Sequence, residues 1–170
     1  QKEIDKFEVV GQKGNLSEVV IYWGVEEMTR LNQLVSFRSP LPSPIIRDYD
    51  WPGVFDPFDH QKTTSEFLSI NKRAFCFNEA GTGKTSSALW SADYLMKLGL
   101  IKRVLIICPL SIMYSAWEAD VQNTVMHRTV GVAHGTQKKR ELIIEEPFDF
   151  VCINYDGVGI VRETIAKNNF

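Results

Sequence analysis

RAFCFNEAGTGKTSSALWSADYLMKL, from Arg73 to Leu98, joins a short apolar run, a tight glycine-containing turn and a helical pattern in that order. The run Ala74, Phe75, Cys76, Phe77 has the length and composition of a buried strand. The helical pattern enters at Lys84 and puts Ala88, Leu89, Ala92, Leu95 and Met96 on one face, with Gly99 where a C-terminal cap belongs. Between strand and helix, Asn78 to Thr85 reads NEAGTGKT. This matches the phosphate-binding pattern G-x-x-x-x-G-K-[ST] everywhere except its first position, where Asn78 stands for Gly.

The residue types fit that chemistry. Gly81 and Gly83 let the backbone bend so that N–H groups point inward at phosphate oxygens, and the following helix adds its positive end. Asn78, Glu79, Ala80, Gly81, Thr82, Gly83, Lys84 and Thr85 then form a site for ATP with Mg²⁺. Lys84 contacts the β- and γ-phosphates and the Thr85 hydroxyl holds the metal. The competing reading is a glycine-rich turn ahead of an ordinary amphipathic helix, and the strand-loop-helix context argues against it.

A chain of 170 residues with 44% hydrophobic content suits one domain with a real core plus a small appendage. The net charge of −2 excludes a wholly basic nucleic-acid coat, though not a local basic groove. Cys76, Cys108 and Cys152 each sit in an apolar run without C-x-x-C spacing, which predicts reduced core thiols rather than a metal site or disulfides. No run of about 18 apolar residues and no signal-peptide pattern occurs, so an intracellular protein without a membrane partner is expected.

Upstream of the loop, residues 1–38 look like a small α+β unit. Phe7, Val9 and Val10 lead into Gly11-Gln-Lys-Gly14, and Val19 to Trp23 complete a hairpin. A helix is predicted from Val25 to Phe37, with Met28, Leu31, Leu34 and Val35 at helical spacing and Glu26 and Glu27 as favourable charge in its first turn. Residues 39–57 hold five of the seven prolines and read as an extended connector that Tyr49 and Trp51 pin to the domain. From residue 58 the main domain begins. Asp59 is the expected N-cap of a helix to Ile70 that buries Phe67, Leu68 and Ile70, and Gln61 in its first turn is placed to reach a nucleotide base.

Downstream, strands are expected at Val104 to Cys108, Thr129 to Ala133 and Phe150 to Ile153. Helices are expected from an N-cap at Ser111 through Val121 with Met113, Ala116, Trp117 and Val121 inward, from Thr136 to Ile144, and from Val158 to Lys167. The alternation predicts a parallel sheet with helices on both faces. Ligands then lie at the carboxyl ends of the strands, where Pro109-Leu110-Ser111, His134-Gly135-Thr136 and Asn154-Tyr155-Asp156 all fall. Lys138, Lys139 and Arg140 add positive charge nearby or form a solvated helix face. His60, His127 and His134 form no catalytic pattern.

In order along the chain, Gln61, NEAGTGKT 17 residues later, VLIICPLSIMYSAWEAD, GVAHGTQKKR and FVCINYDGV resemble the first motor lobe of a superfamily-two helicase of the Swi/Snf-like branch, in its compact bacteriophage form. Pro109, Leu110, Ser111 and Trp117 match its P-L-S-x-x-x-x-W segment with slightly different spacing, and His134, Gly135 and Arg140 match its H-G-x-x-x-x-R segment. The resemblance covers Phe55 to Phe170. It implies a P-loop (RecA-like) α/β fold, incomplete here, in which Gln61 reads adenine, the loop holds ATP and Mg²⁺, and Ser111, Asn154 and Tyr155 lie along a nucleic-acid backbone.

It also implies DNA, or alternatively RNA, as partner, and a phage protein acting inside a bacterial host. The family's Asp-Glu pair after the next strand, and a second lobe with its arginine finger, are not found after the loop, so the resemblance reads the chain as the front part of a longer motor. Two other readings stand beside it. One is a small-molecule kinase using the same loop, for which no arginine-rich lid is present. The other is a nucleotide- or partner-binding module without turnover.

Overall fold

The computed structural model describes residues 6–34 and 41–170. Its first element is an antiparallel hairpin of β1 (Phe7–Lys13) and β2 (Leu16–Ile21), in which Lys13 pairs with Leu16. The turn is therefore Gly14-Asn15 alone. Gly11, expected in the turn, lies in β1 opposite Glu18, and the register shift between Val9 and Gly11 leaves Val10 as a bulge residue. Helix α1 (Val25–Leu34) follows, and its predicted continuation over 35–37 lies outside the described residues. Val25 and Met28 on α1 are buried in the same cluster as the main core, whereas Leu34 is exposed.

The proline-rich segment is not wholly extended. It includes a single helical turn, α2 (Ile45–Asp48), that buries Ile45. Tyr49 packs edge-on against Trp51 and Tyr94, and Trp51 against Trp90. The Trp90 indole N–H donates to the Pro52 carbonyl at 2.7 Å. These aromatic contacts pin the segment as the sequence suggested, and Trp51 takes a left-handed φ of 53° in doing so.

Helix α3 (Asp59–Ile70) begins at the predicted cap: Asp59 is already helical, and the cap position falls one residue earlier, at Phe58. Its burial also differs. Phe67 is exposed, and Ser65 and Ser69 are buried instead. Small side chains let α3 approach α4 (Lys84–Lys97) closely enough for the Ser65 hydroxyl to donate to the Ser87 carbonyl at 2.9 Å. Helix α4 is enclosed on several sides and buries Leu89, Trp90, Asp93, Tyr94 and Met96, while Ala88, Ala92 and Leu95 are only half-buried. It ends as predicted at Gly99: the Gly99 N–H bonds the Met96 carbonyl and the Leu100 N–H the Leu95 carbonyl, a Schellman arrangement.

Among the described residues the sheet has three parallel strands, β3 (Val104–Cys108), β4 (Val130–Ala133) and β5 (Phe150–Asn154), in the order β3-β5-β4. Central β5 is buried along its whole length. Alternation assigns its faces: Phe150 and Cys152, with Ile106, Cys108, Val130 and Val132, meet α4 and the elements around it. Val151 and Ile153, with Ala133 and Leu105, face the opposite helical layer. That layer is α6 (Gln137–Glu145), α7 (Tyr155–Ile160) and α8 (Arg162–Lys167). The expected helices on both faces are thus present, but the single helix predicted from Val158 is two short ones that start at Tyr155 and break at buried Val161.

The segment after β3 also departs from expectation. Ser111 caps nothing. It lies in a 3₁₀ turn (Leu110–Ile112) that leads into a six-residue π-helical stretch (Met113–Glu118) and only then into α5 (Ala119–Thr124). Met113 and Val121 are fully buried as predicted, while Ala116 and Trp117 are partly buried. The largest correction concerns the strand expected at Ala74 to Phe77, which is absent. Phe75 and Phe77 are 81% and 88% exposed, stacked on each other with ring centroids 5.7 Å apart, and Cys76 is half-buried outside any strand. A strand needs a partner edge, and among the described residues none pairs with this run.

Candidate nucleotide site

The NEAGTGKT loop opens directly into α4, with Gly83 as its cap residue. Gly81 and Gly83 have φ values of 78° and 77°, the left-handed region that a side chain resists. At Gly81 no atom lies within 4 Å of where a Cβ would stand, so the turn is open on that side. At Gly83 a Cβ would overlap the Gln61 amide. The glycine is therefore required for its conformation, and a side chain there would push the Gln61 amide off the loop.

That approach brings the predicted base reader onto the loop. Gln61 Nε2 donates to the Thr82 carbonyl at 3.3 Å, and its Oε1 accepts from the Phe58 N–H at 3.0 Å, so the side chain also caps its own helix. His60, read from sequence as uninvolved, lies against the same carbonyl, with Nε2 at 3.0 Å from the Thr82 oxygen and its ring stacked on Phe58. Lys84 Nζ donates to the carbonyls of Asn78 and Glu79 at 2.9 and 2.7 Å. Asn78 Nδ2 donates to the Thr64 hydroxyl at 2.9 Å, and the Thr82 hydroxyl to the Glu79 carbonyl at 2.8 Å. The loop is thus braced from within and from α3.

The orientation of α4 fixes where the loop points. Asp93 on α4 accepts from Arg128 Nε at 2.6 Å, and Arg128 also reaches Asp149 at 3.2 Å. Arg128 and Asp149 stand just before β4 and β5, so Asp93 marks the amino ends of the strands. Lys84, nine residues earlier, lies about 13 Å along the helix toward their carboxyl ends. The loop therefore faces the edge where the sequence placed the remaining site residues.

On that edge Cys108 and Asn154 are in register, so the chain leaves β3 toward Ser111 beside the point where it leaves β5 toward Tyr155. Ser111 is exposed and Tyr155 is 63% exposed. Asn154 differs. It is 6% exposed and its Oδ1 accepts from the Arg140 guanidinium at 2.8 Å, so that carbonyl is not on offer to an outside ligand. Arg140, taken from sequence as surface charge, is equally buried and also donates to the carbonyls of Ala133 and Gly135 at 2.6 and 3.0 Å. It ties the ends of β4 and β5 together, and a Cβ at Gly157 would overlap it.

Two residues here were not singled out from sequence. Tyr114, half exposed on the π-helical stretch, brings its hydroxyl to 3.5 Å from His134 Nδ1, which joins the loops after β3 and β4. Asp120 on α5 is half-buried; burial pushes its carboxyl above the ordinary value, and the nearby Thr85 side chain opposes that shift. Neither has a local motif, because both depend on how the segment after β3 coils. Burial also raises the thiols of Cys108 and Cys152, the latter to about 12. Among the described residues no helix is long and apolar enough to cross a membrane.

The residues present suit a Mg-nucleotide: open left-handed glycines, a lysine at the mouth and a hydroxyl at the start of the helix. No protein-family model matches the chain, and no curated protein does. A solved structure, the Sulfolobus solfataricus SWI2/SNF2 ATPase core in complex with dsDNA, matches with a TM-score of 0.54 and 24% identity. The match covers 62% of this chain and 23% of that one, so the chain spans under a quarter of its neighbour's length. The fold, a three-stranded parallel sheet flanked by helices beside a small antiparallel unit, matches part of that RecA-like core.

Proposed function

We propose that this chain is the nucleotide-binding front part of an ATP-dependent DNA translocase. The observation that carries the reading is the NEAGTGKT turn, held in left-handed glycine geometry at the start of α4 with Gln61 lodged against it. In this reading Gln61 meets the base, Asn78 to Thr85 hold the phosphates, and Thr85 ligates Mg²⁺. The metal, when bound, neutralises charge on the β- and γ-phosphates. Lys84 releases the two loop carbonyls it now holds and turns to the phosphates. Ser111 and Tyr155 contact a nucleic-acid backbone at the carboxyl edge, and Asn154, clamped by Arg140, sets the position of Tyr155. The likeness to a core solved with dsDNA supports DNA as the partner.

Residues 1–38 form the accessory hairpin and helix, 39–57 the connector and 58–170 the first lobe of this motor. The absent strand at Ala74 to Phe77 supports an incomplete lobe, since its two phenylalanines are almost wholly exposed. Hydrolysis then needs the acidic pair and second lobe of a longer chain. ATP hydrolysis by the full-length protein, with and without DNA, tests the reading. The expected result is DNA-stimulated turnover that Lys84→Ala abolishes while the fold persists. Normal turnover in that variant sinks the loop assignment.

A further inference from the structure

Two side chains of the first turn of α3 hold one carbonyl of the phosphate loop. His60 Nε2 lies 3.0 Å from the Thr82 oxygen, and Gln61 Nε2 donates to the same oxygen at 3.3 Å. A carbonyl oxygen only accepts, so Nε2 of His60 carries the proton in this contact whatever the charge of the ring. The ring is itself fixed by stacking on Phe58, with centroids 5.7 Å apart and planes 12° from parallel. The Phe58 N–H in turn donates to Gln61 Oε1 at 3.0 Å, so the three residues brace one another.

The Thr82 carbonyl belongs to the same peptide unit as the Gly83 N–H. No peptide bond among the described residues is cis, and in a trans unit the C=O and the N–H point in opposite directions. Glycine populates positive and negative φ about equally, so Gly83 by itself leaves that unit free to flip. Two donors from α3 select one orientation, with the oxygen toward α3 and the N–H turned away. No backbone carbonyl among the described residues accepts from that N–H, which stands at the positive end of α4. We propose that His60 is a positioning residue for the phosphate half of the nucleotide site: together with Gln61 it holds the Thr82–Gly83 peptide so that the Gly83 N–H donates to a bound phosphate. The inference rests on the phosphate-loop reading. A merely structural role, stacking on Phe58 to finish the first turn of α3, predicts a lower Tm with phosphate affinity unmoved. A contact to the base predicts a changed preference among bases, again with phosphate affinity unmoved.

The test is displacement of a fluorescent ADP analogue from the full-length protein, with Mg²⁺ present, by inorganic tripolyphosphate, which has no base, and by ATP and GTP. His60→Phe keeps a ring to stack on Phe58 and removes the donor. One net hydrogen bond is worth roughly two- to tenfold in binding, so tripolyphosphate, ATP and GTP are all expected to weaken by that factor, with the ATP-to-GTP ratio as in wild type. His60→Gln places an amide N–H at the same reach and is expected to bind as wild type. His60→Ala removes ring and donor together and is expected to weaken tripolyphosphate at least as far, which keeps the test decisive even if His60→Phe fails to fold.

Unchanged tripolyphosphate affinity in folded His60→Phe or His60→Ala, a shift confined to ATP against GTP, or His60→Gln as weak as His60→Phe overturns the proposal. Lys84→Ala separates the two levels. If it abolishes analogue binding while His60→Phe leaves tripolyphosphate affinity unmoved, only the His60 proposal falls. If wild type itself binds neither the analogue nor tripolyphosphate, the phosphate-loop reading falls with it.

Discussion

Removing the carboxylate of Asp93 is expected to be the most damaging single truncation in the core. Asp93 is 1% exposed and accepts three hydrogen bonds, from the Tyr49 hydroxyl at 2.6 Å, Arg128 Nε at 2.6 Å and His127 Nε2 at 3.0 Å. Burial beside this carboxylate pushes the Tyr49 phenol far above its usual value, so the hydroxyl stays a donor at any working pH. Asp93→Ala strands a buried phenol O–H and takes from the largely buried Arg128 guanidinium one of its two carboxylate partners. Breaking a buried ion pair from one side costs about 3–5 kcal/mol, so about 4 kcal/mol is expected. With unfolding entropy of about 2.1 cal/mol/K per residue over 170 residues, that lowers Tm by about 11 °C.

The internal control is Asp50, whose ion pair with Lys97 is as short, 2.7 Å, but lies in solvent. Asp50→Ala is expected to cost no more than about 1 kcal/mol, or about 3 °C. Thermal and denaturant unfolding of wild type and both variants, followed by near- and far-ultraviolet circular dichroism, measures the difference. If Asp93→Ala is no worse than Asp50→Ala, Asp93 is not the hub that joins the connector and α4 to the amino ends of β4 and β5.

Native thiol labelling should modify Cys76 first, since Cys108 and Cys152 are buried with raised thiol values; rapid loss of all three thiols refutes that packing. Asp149 is pushed up by burial but pulled down further, below 3.8, by the Thr129 N–H and hydroxyl and by Arg128. A carboxyl depressed in the folded state contributes stability above its unfolded value that is lost as pH falls through the folded one. Asp149→Asn should therefore weaken the fold at pH about 7 and cost progressively less below about pH 4, seen in denaturant midpoints across that range. Gly83→Ala forces a side chain into φ 77°, at about 1–2 kcal/mol, and displaces the Gln61 amide from the loop. Its nucleotide affinity should fall at least as far as that of Gln61→Ala, and wild-type affinity refutes the packing.

Much of this architecture was legible because the signals were local. β3, β4 and β5 are short apolar runs within a residue of their predicted bounds, and α4 and its Gly99 terminus follow from helical spacing and a glycine. What was not legible depended on neighbours. Phe67 has the spacing of a core residue, yet α3 meets α4 through Ser65, whose hydroxyl bonds the Ser87 carbonyl across a contact too close for a phenyl ring. Arg140 reads as one of three surface charges, but carbonyls at the ends of two strands need a donor and its guanidinium fills that space. The π-helical stretch after β3 has no sequence signature, and it determines where Tyr114 and Asp120 fall.

The run at Ala74 to Phe77 is the sharpest disagreement between pattern and fold, and it supports the functional reading. Parallel sheets are stable when both faces and their edges are covered. Here β3 lies at an edge of the sheet, and Ile107, on the face opposite the α4 layer, is exposed. Phe75 and Phe77, two residues apart and so on one side of an extended chain, present their rings to solvent immediately before the phosphate loop. Among the described residues, the open edge of β3 and the apolar extended run without a partner are complementary deficits, and each has what the other lacks. The two do not pair with each other among the described residues; on the proposed reading, strands from the rest of a longer motor would satisfy both. The same strands would lie beside the phosphate loop, where a hydrolytic site needs its acidic residues.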